Sequence, residues 1–131
     1  MRAMADRRAV SDWVARYERA WRSPGAAALD ELFTETASYS PSPWAPPIQG
    51  LEGLRHFWDA SRNGPDEEFQ LQSDIVAIDG RVAVVRVAVD YRDGQRWRDL
   101  WVLAIDEDGR CERFEEWPFA PDQPDGHERD G

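Results

Sequence analysis

Three Asp-Gly pairs, Asp79-Gly80, Asp93-Gly94 and Asp108-Gly109, recur through the second half of the chain, and strand-forming residues flank each of them. Asp and Gly tolerate the positive φ that tight hairpin turns demand, so an Asp-Gly pair between such runs is the strongest local hairpin signal. The runs Arg81 to Tyr91, Gln95 to Ile105 and Arg110 to Trp117 are therefore expected to be consecutive strands of one antiparallel meander. Before the first turn, Phe69, Leu71, Ile75 and Ala77 alternate with Gln70, Gln72, Asp74 and Val76, the period of a strand with one apolar face. Pro118 has no N–H to give a ladder and is expected to end the last strand.

The first half follows a different period. Val10, Trp13, Val14, Tyr17, Ala20 and Trp21 fall at the i, i+3, i+4, i+7 spacing of one buried helical stripe. Ser23-Pro24-Gly25 ends that helix, and Ser23-Pro24 also serves as N-cap and first-turn proline for a second one, Ala26 to about Phe33. Ala37 to Ser40 reads as a short strand running into the proline-rich stretch Pro41 to Pro47. Gln49-Gly50 opens a third helix through Leu51, Leu54, Phe57 and Trp58, with a stop at Asn63-Gly64-Pro65. Helices followed by a run of hairpins give an α+β class. A chain of 131 residues accommodates one core, so residues 1–120 are expected to form a single domain and 121–131 a disordered acidic tail.

Composition narrows the function. The formal net charge is −10, which repels phosphate backbones and anionic lipid surfaces, so neither a nucleic acid nor a membrane is expected as partner. Cys111 is the single cysteine and fits a reducing, cytoplasmic setting. The stretch Met1 to Val10 carries charges without an apolar run, unlike a signal peptide. Only His56 and His127 accompany that cysteine, so no metal site is expected, and with no glycine-rich phosphate loop no cofactor is either. Seven Trp, five Phe and three Tyr are more than a core this small needs, and some are expected to line a cavity or an interface.

Several short segments, taken in order, carry a family likeness: Val14-Ala15-Arg16-Tyr17 with Trp21, Leu32-Phe33 through Ala37-Ser38-Tyr39, Ile48 to Leu54 before Phe57-Trp58, and Asp106 to Arg110 leading to Glu115-Glu116-Trp117. Over roughly Val10 to Phe119 the chain resembles the nuclear transport factor 2-like superfamily, in its SnoaL-like branch. The resemblance implies a cone, in which a curved antiparallel sheet wraps around three N-terminal-half helices and leaves a deep pocket for a small apolar or polycyclic molecule. Members include polyketide cyclases, ketosteroid isomerases, dehydratases, epoxide hydrolases and non-enzymatic binding or scaffold domains, so the fold does not choose among them. Tyr17 resembles the first-helix tyrosine that ketosteroid isomerases use on an oxyanion. Their carboxylate base would fall near Ser40 or Pro41 and their second acid at Trp101, while the SnoaL-type cyclases carry an Asp where this chain has Pro118.

Other residues must then supply any chemistry. With Trp101 facing inward, as the resemblance implies, period two brings Trp97, Asp99, Leu103 and Ile105 to the same face. Asp99 among aromatics is either a general base, its pKa raised by desolvation, or the partner of Arg86 on the neighbouring strand, or a partly solvated residue. Glu115 and Glu116 lie on opposite faces of the last strand; either both are solvated or the inward one is the second acid, for which the family pattern favours Glu116. Asp99, Tyr17 and Glu116 are thus the catalytic candidates. Trp13, Tyr39, Trp44, Phe57, Arg86, Trp97 and Trp101 are the substrate-binding ones, with Trp44 either a lid on the proline-rich loop or a plug for the core or an interface. The activity is either a cofactor-free isomerase, cyclase, dehydratase or hydrolase reaction, or non-catalytic binding or dimerising. Val85, Val87, Val89 and Val102, read as facing away from the pocket, point to a homodimer through the outer sheet face.

Overall fold

A computed structural model of the protein describes residues 6–61, 68–124 and 127. Helix α1 spans Arg7–Trp21, and the Asp6 carboxylate caps it by accepting the Ala9 N–H at 2.8 Å. Val10, Trp13, Val14, Tyr17 and Ala20 are buried, as their spacing predicts. The second helix is much shorter than expected. Bonds of i to i+3 type lead through Ala26 to Ala28 into a single turn, α2, Leu29–Leu32. The chain then extends at once as β1, Phe33–Ser40, so Phe33 belongs to the strand, where it pairs with Cys111. β-Branched Thr34 and Thr36 favour that extended backbone. A two-residue strand, β2, Ile48–Gln49, pairs antiparallel with β1 and leads into α3, Leu51–Ser61. The stop expected at Asn63-Gly64-Pro65 lies outside the described residues.

Four long strands follow: β3 Phe69–Asp79, β4 Val82–Tyr91, β5 Arg96–Ile105 and β6 Cys111–Phe119. All three Asp-Gly pairs sit at the turns between them, with φ of 61°, 102° and 80° at Gly80, Gly94 and Gly109. The sheet order is β2-β1-β6-β5-β4-β3, antiparallel throughout except for the parallel β1–β6 pair. Register shifts between Ile75 and Ala77 and between Ala104 and Ile105 add to the curvature. The first of them also breaks the period of two, so that Ile78 rather than Ala77 packs against the core. Pro118 does not end β6, which runs on to Phe119 opposite Arg98. Because β1 pairs no further than Glu115, β6 has a neighbour on one side only at Pro118, and such an edge tolerates a missing donor.

The result is a curved, unclosed sheet with the N-terminal-half helices on its concave side. Two arginines, one within α1 and one at its C-cap, fix the helix across it. Arg16 Nη2 donates to the Gly109 carbonyl at 3.0 Å, and Arg22 Nη2 donates to the Phe69 carbonyl at 2.9 Å. Among the described residues no helix is long and apolar enough to cross a membrane.

The valines of β4 correct the expectation about the outer face. Val85, Val87 and Val89 are fully buried on the concave side, opposite Trp101, Asp99 and Trp97. A two-residue Asp93-Gly94 loop would have set Val85 against Val102 and sent all three outward. The loop instead takes in Arg92, Asp93 and Gly94, closed by Tyr91 N–H to Gln95 O at 2.8 Å and Gly94 N–H to Tyr91 O at 3.1 Å. One extra residue in a hairpin loop moves every side chain of the strand to the other face. Of the four valines, Val102 alone lies on the convex face, near the partly exposed Leu100, Trp117 and Phe119.

Candidate functional site

The cone holds a cavity of about 540 Å³. Its wall from β5 carries Trp97, Asp99 and Trp101, brought to one face by the period of two, and β6 adds Glu116 and Pro118 beside them. Trp101 lies directly opposite Glu116 and Asp99 opposite Pro118, so the two acids are diagonal neighbours on adjacent strands. Diagonal side chains of that kind remain within reach of each other. From the helices come Tyr17 and Trp21 on α1 and Phe57 and Trp58 on α3, while Tyr39 enters from β1.

The polar groups converge in two pairs. The Tyr17 and Tyr39 hydroxyls lie 3.2 Å apart, and either can donate to the other. Both rings are held by packing. Tyr17 stacks on Trp13 at 5.0 Å and meets Trp101 edge-on at 5.2 Å, and Tyr39 stacks on Phe114 at 4.8 Å. Burial raises the pKa of both phenols, and their mutual proximity and Glu116 add to this for Tyr17, so each stays a neutral donor.

The second pair is Asp99 and Glu116. Burial raises the Asp99 pKa above the ordinary carboxylate range, opposed by hydrogen bonding from Glu116 and Trp101 and by the Phe119 backbone. Burial raises Glu116 further, and hydrogen bonding to Asp99 and its charge act in the same direction. Two carboxyls so placed disfavour being ionised together and titrate as a pair. Among the described residues no cation is a cause of either shift. Asp99 is only 6% exposed, and its Oδ1 has no hydrogen-bond partner.

Seven of the candidates therefore come together at the cavity: Tyr17, Tyr39, Phe57, Trp97, Asp99, Trp101 and Glu116. Three do not. Trp13 is fully buried behind Tyr17, donating its Nε1–H to the Leu32 carbonyl at 2.9 Å, and forms core rather than wall. Trp44 is 95% exposed, so it neither covers the cavity nor plugs the core. Arg86 points out of the convex face, exposed and 3.6 Å from Asp74, because it pairs in register with Leu100 and not with Asp99. Its proposed partnership with Asp99 is excluded by that register.

The lining also includes Trp21, Trp58, Val89, Tyr91, Gln95 and Pro118, none of them among the candidates. Trp21 and Trp58 lie on apolar helical stripes, where spacing cannot separate a cavity wall from a core. Val89, Tyr91 and Gln95 needed the three-residue loop at Asp93-Gly94, which fixes the β4–β5 register. Among the described residues no group of three His, Cys, Asp or Glu side chains is placed to hold a metal ion.

Known proteins sharpen this picture. No curated protein matches the chain. Among solved structures it is similar to the epoxide hydrolase/cyclase-like enzyme SalBIII of pyran ring formation in the polyether salinomycin, at 17% identity and a TM-score of 0.68, covering 87% of this chain and 93% of that one. A ketosteroid isomerase candidate from Kribbella flavida DSM 17836 is 21% identical with a TM-score of 0.65, over 93% of this chain and 86% of that one. A protein of cystatin-like fold from Methylobium petroleophilum PM1 gives 15% and 0.70, over 97% and 86%. At such identities the likeness shows the fold. The model of the SnoaL-like domain matches residues 14–114, from the buried stripe of α1 to Phe114 beneath Tyr39. With the cone and its order of elements, that match makes the chain a member of the SnoaL-like family, within the nuclear transport factor 2-like superfamily.

Proposed function

We propose that the cavity takes a small, largely apolar molecule and that Asp99 and Glu116 move a proton on it without a cofactor, in an isomerisation, cyclisation, dehydration or hydrolysis. The observation that carries this is the acid pair in an aromatic wall, with both pKa values raised by burial. Such a pair holds a base and an acid at once, each displaced toward the pH at which it would work. Asp99 is the base and Glu116 the acid. The Tyr17–Tyr39 hydroxyl pair orients a ligand oxygen, and the volume suits a ligand of drug size. The cyclase-like and isomerase-like names among the structural neighbours agree with this reaction class. The buried Cys111 thiol, its pKa pushed up to about 12 by burial, stays reduced and unreactive, which fits a cytoplasmic protein.

The test is exchange of α-protons of 2-tetralone in D2O, followed by NMR. The wild type is expected to exceed buffer alone, and Asp99→Asn to reduce the protein-dependent rate by about 100-fold. A second reading, a non-catalytic binding or scaffold domain, is favoured by the absence of carboxylates at Ser40, Pro41, Trp101 and Pro118, where the enzymes of the superfamily carry theirs. No exchange above buffer, together with no opening of an epoxy-alcohol, would establish that second reading.

The same proposal includes a homodimer through the convex face. Val76, Leu100, Trp117 and Phe119 are each about two-fifths exposed there, an apolar surface rimmed by Arg86 and Arg98. Sedimentation at micromolar concentration is expected to give twice the 15.1 kDa chain mass, and Trp117→Glu to give the single chain. A wild type that sediments as one chain ends the dimer proposal.

A further inference from the structure

The cavity combines a carboxyl pair, an aromatic wall and no counter-charge. Four tryptophans line it, Trp21, Trp58, Trp97 and Trp101, with three tyrosines and Phe57. All sixteen basic residues of the chain are arginines, and among the described residues none lines the cavity. Those nearest in sequence to Asp99 are engaged elsewhere: Arg96 and Arg98 lie 3.4 and 3.0 Å from Asp90 on the convex side. A site built for an anion or an oxyanion would be expected to bring at least one of these cations inward. Here the inward charge is negative.

Asp99 gives this a direction. Its Oδ1 is buried, lacks a donor, and belongs to a residue 94% removed from solvent if its 6% exposure is subtracted from the whole. A buried carboxylate oxygen without a partner is costly unless a donor or a counter-charge arrives with a ligand. Around it stand π-faces, whose negative quadrupoles attract a cation most strongly when water is excluded. Fixed carboxylate and fixed aromatic faces together recognise one chemical class.

We propose that the occupant is an organic cation, a bulky apolar amine or quaternary ammonium, whose charged nitrogen lies beside Asp99 and Glu116 against the Trp97 and Trp101 rings. This rests on the reading of the cavity as a small-molecule site and deepens it, but does not depend on catalysis. The charge is the specificity element, and the remaining wall accepts the hydrocarbon.

Phenyltrimethylammonium and tert-butylbenzene test it, because they share size and shape and differ in charge. Binding to the intact protein is followed by Trp fluorescence at fixed ionic strength. The cation is expected to bind about 30-fold more tightly, the scale of a desolvated cation–π contact. The double variant Asp99→Asn with Glu116→Gln, which leaves no ionisable carboxyl in the wall, should remove most of that preference. Trp97→Leu, which keeps an apolar wall without the ring, should lower affinity for the cation alone, with thermal melting showing that each variant is folded. Equal binding of the two probes, or tighter binding of the neutral one, overturns the cation proposal and leaves the small-molecule reading standing. A preference that survives both acid substitutions reflects only the −10 surface and overturns it too. Failure of both probes to bind overturns the proposal and the cavity reading together.

Discussion

Replacing Trp13 with alanine is expected to cost about 4 kcal/mol of stability and to lower the melting temperature by about 15 °C. Trp13 has no exposed surface and is among the largest side chains buried in the chain. It stacks on Tyr17 at 5.0 Å, meets Phe33 edge-on at 5.6 Å and lies 6.0 Å from Phe114, so it joins α1 to β1 and β6. Alanine would leave a void that three aromatic neighbours cannot all collapse into, and interior packing does not tolerate such voids cheaply. It would also strip the Leu32 carbonyl of the indole N–H that satisfies it at 2.9 Å. Trp13→Phe separates the two losses: it keeps most of the ring and forfeits the hydrogen bond, and should cost less than half as much. Chemical denaturation measures both. A Trp13→Ala protein within about 1 kcal/mol of the wild type would contradict the packing described for α1. The consequence reaches the cavity, because Tyr17 rests on Trp13 and would lose the support that holds its hydroxyl against Tyr39.

The case of Trp13 also shows where sequence reasoning stopped. The Asp-Gly turns were legible because their signal is local: two residues demand one backbone geometry, and the strands on either side follow. The inward face of β5 was legible once Trp101 was taken as its anchor, and Asp99 came with it. The face of β4 was not. It depended on the register of β4 against β5, which a slip of one residue reverses and which the runs ending at Tyr91 and resuming at Gln95 were not used to fix. The outward placement of Val85, Val87 and Val89, and the pairing of Arg86 with Asp99, both put β4 on the wrong face by one residue. Helical spacing identified Trp13, Trp21 and Trp58 as apolar positions without distinguishing core from cavity wall. Trp44 lies in a loop, where neither period applies, and its size alone suggested burial. The start of β1 at Phe33 was decided by pairing with Cys111, a partner seventy-eight positions away in the numbering, which no local window contains.

Glu116→Gln is expected to make the protein more stable at pH 8, by about 1 to 2 kcal/mol or roughly 5 °C, and to flatten its pH dependence. Asp99 and Glu116 both have folded-state pKa values raised by burial above their ordinary 3.8 and 4.5. For an acid shifted in that direction the folded state binds protons more tightly than the unfolded one. The stabilisation is then full below the unfolded pKa and is lost as pH rises through the folded one. The wild type should therefore melt highest in mild acid and progressively lower toward pH 8. Asp90, lowered by Arg98 and Arg96, has the opposite sign, but it is exposed, and solvent screens its contribution. The net charge of −10 has the same sign as the pair, since acid relieves its repulsion, so the wild-type slope alone does not identify the cause. The variant does. Glutamine keeps the shape and donates an amide hydrogen bond to Asp99, while removing the carboxyl whose ionisation is most strongly opposed and altering the surface charge very little. Thermal melts of both proteins from pH 5 to 8 distinguish the outcomes. A variant that melts higher at pH 8 and converges with the wild type at pH 5 identifies the buried pair as the origin of the slope. Parallel slopes, with no gain at pH 8, would assign the slope to the surface and leave Glu116 ionised in solvent, which removes the acid from the proposed pair and the proton it was to donate.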